Sequence, residues 1–105
     1  MNASTRPDPR PVITLPRARE DCLRLASEIV GMDRMAEYGA PEDTFARIAA
    51  LWSVVLDVRV TPAQVALCMI QLKVARLSGG NVHHGDSIVD IAGYAACLYG
   101  LPEET

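Results

Sequence analysis

The chain has 105 residues, half of them hydrophobic but only 5% aromatic, and a formal net charge of −3. That length holds one domain with one mainly aliphatic core and leaves no room for a second. The acidic balance excludes a general nucleic-acid binder, whose affinity rests on a surplus of Lys and Arg displacing counterions from phosphates.

Cys22, Cys68 and Cys97 are widely spaced and form no CxxC pair. An odd number of thiols on apolar faces reads as reduced core cysteines of a cytosolic protein, not as a disulfide framework or a zinc site. The first apolar stretch is broken by Pro7, Pro9, Pro11 and Pro16, which is unlike a secretory signal. The longest apolar run, Val65 to Ile70, is far too short to span a bilayer. A soluble cytoplasmic protein with no membrane association is the expectation.

Residues 1–13, rich in Pro, charge and small polar groups, read as a flexible N-terminal arm, and residues 14–105 as one helical domain. The first helix is predicted over Arg17 to Val30, where Cys22, Leu23, Leu25, Ala26, Ile29 and Val30 recur at spacings of three and four. Gly31 interrupts it, and Gly39-Ala40-Pro41 is a clear break. A second helix follows from Pro41 to about Asp57, with Phe45, Ile48, Ala49, Trp52, Val55 and Leu56 as its apolar face.

Thr61-Pro62-Ala63-Gln64 is a strong helix start. Thr61 suits the cap, Pro62 the first helical position, and Gln64 the far side of a capping box. The third helix, Thr61 to about Leu77, is apolar nearly all round, so a central place with neighbours on several sides is expected. Ser78-Gly79-Gly80-Asn81 ends it. The last helix starts near Asp86 or Ser87, carries Ile88, Ile91, Ala92, Ala95, Leu98 and Tyr99 as its core stripe, and stops at Gly100-Leu101-Pro102. No segment alternates with period two. The predicted fold class is all-α, a compact bundle of about four helices with a mobile N-terminal arm.

The informative residues are polar ones placed where packing calls for apolar ones. Lys73 and Arg76 lie one turn apart on the oily third helix. A buried cation requires a carboxylate, a ligand or a route to water. Ser87, Asp90 and Tyr94 form a polar stripe on the last helix. Antiparallel packing of the last two helices brings Asp90 or Asp86 near Arg76 or Lys73. This pattern is read equally as an ion pair that fixes register and as part of a binding site.

Arg34 offers a planar fork of donors suited to phosphate, and Tyr38 a ring that can stack on a base, although an Asp33–Arg34 pair at a helix end explains them as well. His83 and His84 are adjacent, so they point in different directions. A capping or solvated role suits them better than metal ligation, and Asp86 and Ser87 are natural caps. No catalytic residue, resident metal or cofactor is assigned from these patterns.

Several segments taken together resemble a family of small phage and prophage proteins, a domain of unknown function. They are Asp33-Arg34, Tyr38-Gly39, Pro41, Phe45-x-x-Ile48-Ala49-x-Leu51-Trp52, Thr61-Pro62, Val65, Met69, Lys73, Ala75-Arg76-Leu77 and His84-x-Asp86-Ser87-x-x-Asp90-x-Ala92-Gly93-Tyr94-Ala95. The resemblance covers roughly residues 20–98 and draws on the same polar residues. More distantly, the closing segment is similar to the last helix of the all-α nucleoside-triphosphate pyrophosphohydrolases. That likeness implies magnesium held by Asp86 and Asp90, although Phe45 to Leu56 lacks the first acidic set of those enzymes.

The leading expectation is a binding protein, not an enzyme. In it Arg34, Lys73 and Arg76 grip phosphates of a nucleotide-like ligand, Tyr38 and Tyr94 meet its base or ribose, and His84, Asp86, Ser87 and Asp90 orient them. The phage resemblance implies the host cytoplasm; sequestering a host nucleotide signal in counter-defence is an inference beyond it, and association into a homo-oligomer is expected of so small a domain with apolar surface to spare. The alternatives are a magnesium-dependent pyrophosphohydrolase and a module that docks a host protein through Trp52 or an apolar helix face.

Overall fold

A computed structural model describes residues 18–31 and 39–103. They form four helices and no strand: α1 (Arg19–Ile29), α2 (Pro41–Leu56), α3 (Pro62–Ser78) and α4 (Gly85–Gly100). The all-α expectation holds, and each observed boundary falls within two residues of the predicted one. The expected arm, residues 1–13, lies outside the described residues.

Local chemistry explains the boundaries. Thr61 caps α3 with a full capping box: its hydroxyl accepts from the Gln64 N–H at 3.1 Å, and the Gln64 side-chain oxygen accepts from the Thr61 N–H at 3.0 Å. Pro41 and Pro62 open α2 and α3, where the missing N–H costs nothing. Gly39 takes the left-handed φ of 86° that turns the chain into α2. Asp57 closes α2 in the left-handed region with φ 56°, a conformation that Asp tolerates better than most residues.

The α2–α3 corner is tied by one side chain. Ser53 Oγ donates to the Ala49 carbonyl at 2.7 Å and accepts from the Val60 N–H at 2.8 Å. The N–H left free by the tight turn is thereby satisfied.

α3 packs on α4 and on α2, and α4 packs on α1, giving the spatial order α1, α4, α3, α2. The last helix, not the third alone, is therefore flanked on both sides. Gly93 is buried where α1 ends on α4: a Cβ placed there would stand 3.7 Å from Val30 Cγ1. The buried core centres on Phe45, Ala49, Val65 and Ala66, with Ile48, Trp52, Met69, Tyr94 and Cys97 packed against it.

Four predicted stripes are covered less than their spacing implies. Leu23 of α1, Val55 and Leu56 of α2, Leu67 and Leu72 of α3, and Tyr99 of α4 are all exposed. Cys68 is exposed and Cys22 and Cys97 are half-buried, so the three thiols do not form a set of core residues. The reason is geometric. Helices of 11 to 17 residues, each packed mainly on one or two neighbours, enclose only the faces turned toward those neighbours. No helix among the described residues is long and apolar enough to cross a membrane.

Candidate functional site

α1, α2, α3 and α4 surround a cavity of about 370 Å³, within the size range of small-molecule sites. Its walls are Ile29 and Val30 at the end of α1, Gly39, Pro41, Thr44, Phe45 and Ile48 at the start of α2, Met69 of α3, and Asp90, Gly93, Tyr94 and Cys97 of α4. Position explains the lining: Asp90, Gly93, Tyr94 and Cys97 recur at spacings of three and four, one face of α4. The Phe45 and Tyr94 rings meet in this wall, their centroids 6.2 Å apart and their planes inclined at 40°.

Among the described residues, Asp90 is the one charged side chain in the lining. Its carboxylate accepts from Lys73 Nζ at 2.9 Å, with the Lys73 side chain 14% exposed and that of Asp90 30%. The pair is half-sheltered and still reachable by water. It ties α3 to α4 and places a neutralised carboxylate, with an ammonium that has two further N–H donors, at the edge of an apolar chamber.

The predicted site residues separate into groups. Lys73 meets Asp90, and Asp90 and Tyr94 share the cavity lining. Arg76, one turn further along α3, is exposed and forms no ion pair among the described residues. With Lys73 opposite Asp90, antiparallel register puts Arg76 at the level of Ser87 and Asp86, at the outer end of the same helix pair. Asp86 is exposed on the first turn of α4.

His84, not Asp86 or Ser87, is the cap of α4, which begins at Gly85. Its Nδ1 lies 3.3 Å from the Ser87 N–H that it accepts and 2.9 Å from Ser87 Oγ. Ser87 is buried beneath this contact. The pair therefore anchors the loop. The cap falls to His84 because its backbone is extended while its ring reaches the N–H three residues on. Arg34 and Tyr38 lie outside the described residues.

No three His, Cys, Asp or Glu side chains converge as a metal-binding group among the described residues. Asp86 is exposed, and Asp90 is paired with Lys73.

Phe45, Met69, Gly93 and Cys97 line the cavity, although their sequence pattern marks them only as core or spacing. Apolar residues on a helical stripe carry no mark that distinguishes a packed wall from an open one. Cys97 is chemically distinct: burial raises its thiol pKa, and the nearby Glu42 carboxylate raises it further, so the thiol stays protonated and poorly nucleophilic.

Two curated relatives are mycobacteriophage proteins. The Gene 55 protein of Mycobacterium phage L5 is 44% identical over 85 residues, covering 78% of this chain and 54% of that protein. The Gene 55 protein of Mycobacterium phage D29 is 38% identical over 85 residues, covering 81% of this chain and 56% of that one. The chain thus spans about half the length of the curated relatives it matches. No solved structure gives a significant match. Residues 21–101 match the model of a domain of unknown function, DUF6378, so most of the described helical bundle is that domain and the chain belongs to this family.

Proposed function

We propose that the chain is a binding protein that takes a nucleotide-like, phosphate-bearing small molecule into the cavity beside the Lys73–Asp90 pair. One observation carries the reading: among the described residues Asp90 is the one charged side chain in a mainly apolar cavity lining, and a cation from the neighbouring helix neutralises it. The Phe45 and Tyr94 rings offer surface for a base, and Asp90 accepts from its amino groups or from a ribose hydroxyl. Lys73 keeps two N–H donors beyond the one given to Asp90, and Arg76 on the next turn offers a planar fork to an outer phosphate. The resulting site holds and neutralises a ligand without a step that alters it.

The mycobacteriophage origin of the relatives gives such a binder a setting. A phage gains from a protein that withdraws a host nucleotide signal from solution, and sequestration needs affinity but no turnover. Calorimetry against a panel of mono-, di- and cyclic nucleotides tests the reading. A ligand is expected, with affinity reduced at least tenfold in Asp90→Asn and Arg76→Ala, a loss of about 1.4 kcal/mol or more. Arg34→Ala tests the remaining expected cation. Silence across the panel removes the proposal. Pyrophosphate release from nucleoside triphosphates and magnesium, lost in Asp90→Asn, would replace it with the hydrolase reading.

A further inference from the structure

The carboxylate in the cavity wall already has its charge answered, which limits what else it can hold. Asp90 Oδ2 accepts from Lys73 Nζ at 2.9 Å, while no hydrogen bond reaches Asp90 Oδ1 among the described residues. A carboxylate is an acceptor only, with about four lone-pair sites, so roughly three stay open. With the ammonium in place a second cation gains little, and neutral O–H or N–H donors are what the open sites take. We propose that Asp90 reads the sugar of the ligand, accepting from the 2′- and 3′-hydroxyls of a ribonucleoside 5′-phosphate. This inference rests on the nucleotide reading above and narrows it to one chemical class.

The order of groups along α4 assigns the sugar to Asp90. At about 1.5 Å per residue, Tyr94 lies about 6 Å from Asp90 toward Cys97, and Ser87, level with Arg76, about 4.5 Å the other way. The base, ribose and 5′-phosphate of a nucleotide follow one another at similar steps, with roughly 5 Å between centres. A base against Phe45 and Tyr94 therefore leaves the ribose at Asp90 and the phosphate at Arg76. The reverse order fails. Among the described residues the lining holds no cation, so a phosphate drawn inward would meet apolar walls and a carboxylate. Outside, it meets the Arg76 fork and the N-terminal end of α4, whose dipole favours an anion. A base edge turned to Asp90 would carry the phosphate away from both Lys73 and Arg76.

Two adjacent hydroxyls match two adjacent carboxylate oxygens, and hydrogen bonds to an ionised acceptor are the strong ones. A 2′-deoxy sugar removes one donor. A 3′,5′-cyclic phosphate removes the other and sets an anion against the carboxylate. A site made to bond a hydroxyl rejects the analogue that lacks it, because the acceptor is left unpaired. The Asp90 side chain is 30% exposed, so water relieves part of that loss. Discrimination on the order of tenfold follows, well short of the factors that closed sites reach.

Calorimetry of the full chain with the common ribonucleoside 5′-monophosphates, their 2′-deoxy forms and their 3′,5′-cyclic forms tests the assignment. The best-bound ribonucleotide should exceed both counterparts at least tenfold, about 1.4 kcal/mol. Asp90→Asn keeps one acceptor oxygen and should bring the ribose-to-deoxyribose ratio toward one, with folding checked by far-UV circular dichroism. Saturating ribonucleotide should slow alkylation of Cys97 in the cavity wall and leave the exposed Cys68 unchanged. Equal affinity for ribose and deoxyribose forms overturns the inference and leaves a nucleotide binder standing. So does a ratio unaltered in Asp90→Asn, or a Cys97 that the ligand does not protect. Silence across every nucleotide removes both readings. Where Asp90→Asn fails to fold, the wild-type ratio and the Cys97 protection decide.

Discussion

Replacing Lys73 by Met strands the Asp90 carboxylate, and replacing Asp90 by Asn strands the Lys73 ammonium. The two losses are not equal. The Asp90 side chain is 30% exposed and can recover part of its hydration, whereas Lys73 is 14% exposed and the more sheltered partner. Exposed pairs contribute about 0–1 kcal/mol, and breaking a fully buried pair costs about 3–5 kcal/mol. This half-sheltered pair falls between them, at about 1–2 kcal/mol for Lys73→Met and about 2–3 kcal/mol for Asp90→Asn. In a domain of this size each kcal/mol lowers Tm by roughly 4–8 °C.

The decisive measurement is a double-mutant cycle by urea unfolding, with Lys73→Met and Asp90→Asn as the corners. The double variant leaves no charge uncompensated and should recover much of the loss, with a coupling energy of about 1–2 kcal/mol. The coupling should persist at about 1 M salt, because screening acts weakly on a sheltered contact. Additivity of the single losses to within about 0.5 kcal/mol would refute the claim that the two groups act as a unit across the α3–α4 seam.

Phe45→Ala should cost about 3–5 kcal/mol in the same unfolding assay, because it empties a buried core position that is also a cavity wall; a loss below about 1 kcal/mol would place the ring outside the core. Ser53→Ala should cost about 1–3 kcal/mol by leaving the Val60 N–H unsatisfied at the α2–α3 corner, and the shift is read from thermal unfolding. Alkylation followed by peptide mass spectrometry should label the exposed Cys68 first and Cys97 slowly, with Glu42→Gln speeding Cys97 by removing the repulsion. Because the folded Cys97 pKa lies above that of the unfolded thiol, its contribution to stability is intact below the unfolded pKa and declines as pH rises through the folded one; Cys97→Ser should flatten that alkaline decline.

Part of the site is legible in the residues themselves. Lys73 and Asp90 stand out because charge on a stripe that packing fills with apolar groups demands an explanation, and the demand is met by their contact. Arg76 carries the same signal yet is exposed to solvent, since one turn of helix changes both the facing residue and the access of water. A capping or solvated role is the reading of the loop histidines, and His84 caps. The walls of the cavity give no sign, because Phe45, Met69 and Cys97 have the same spacing whether the space beside them is filled or empty.

The helices themselves are written in contacts that reach no further than four residues. Thr61 and Gln64 close a capping box, Pro41 and Pro62 stand at first positions, and Gly39 supplies a left-handed turn, so sequence alone determined where these elements begin. Only tertiary structure decided that α1 lies on α4, that Lys73 meets Asp90 in preference to Asp86, and that Val54 and Val55 remain outside. Those outcomes depend on how a few short helices divide a limited buried surface among competing faces. A periodic stripe states that a residue can be covered, and the geometry of its neighbours determines whether it is.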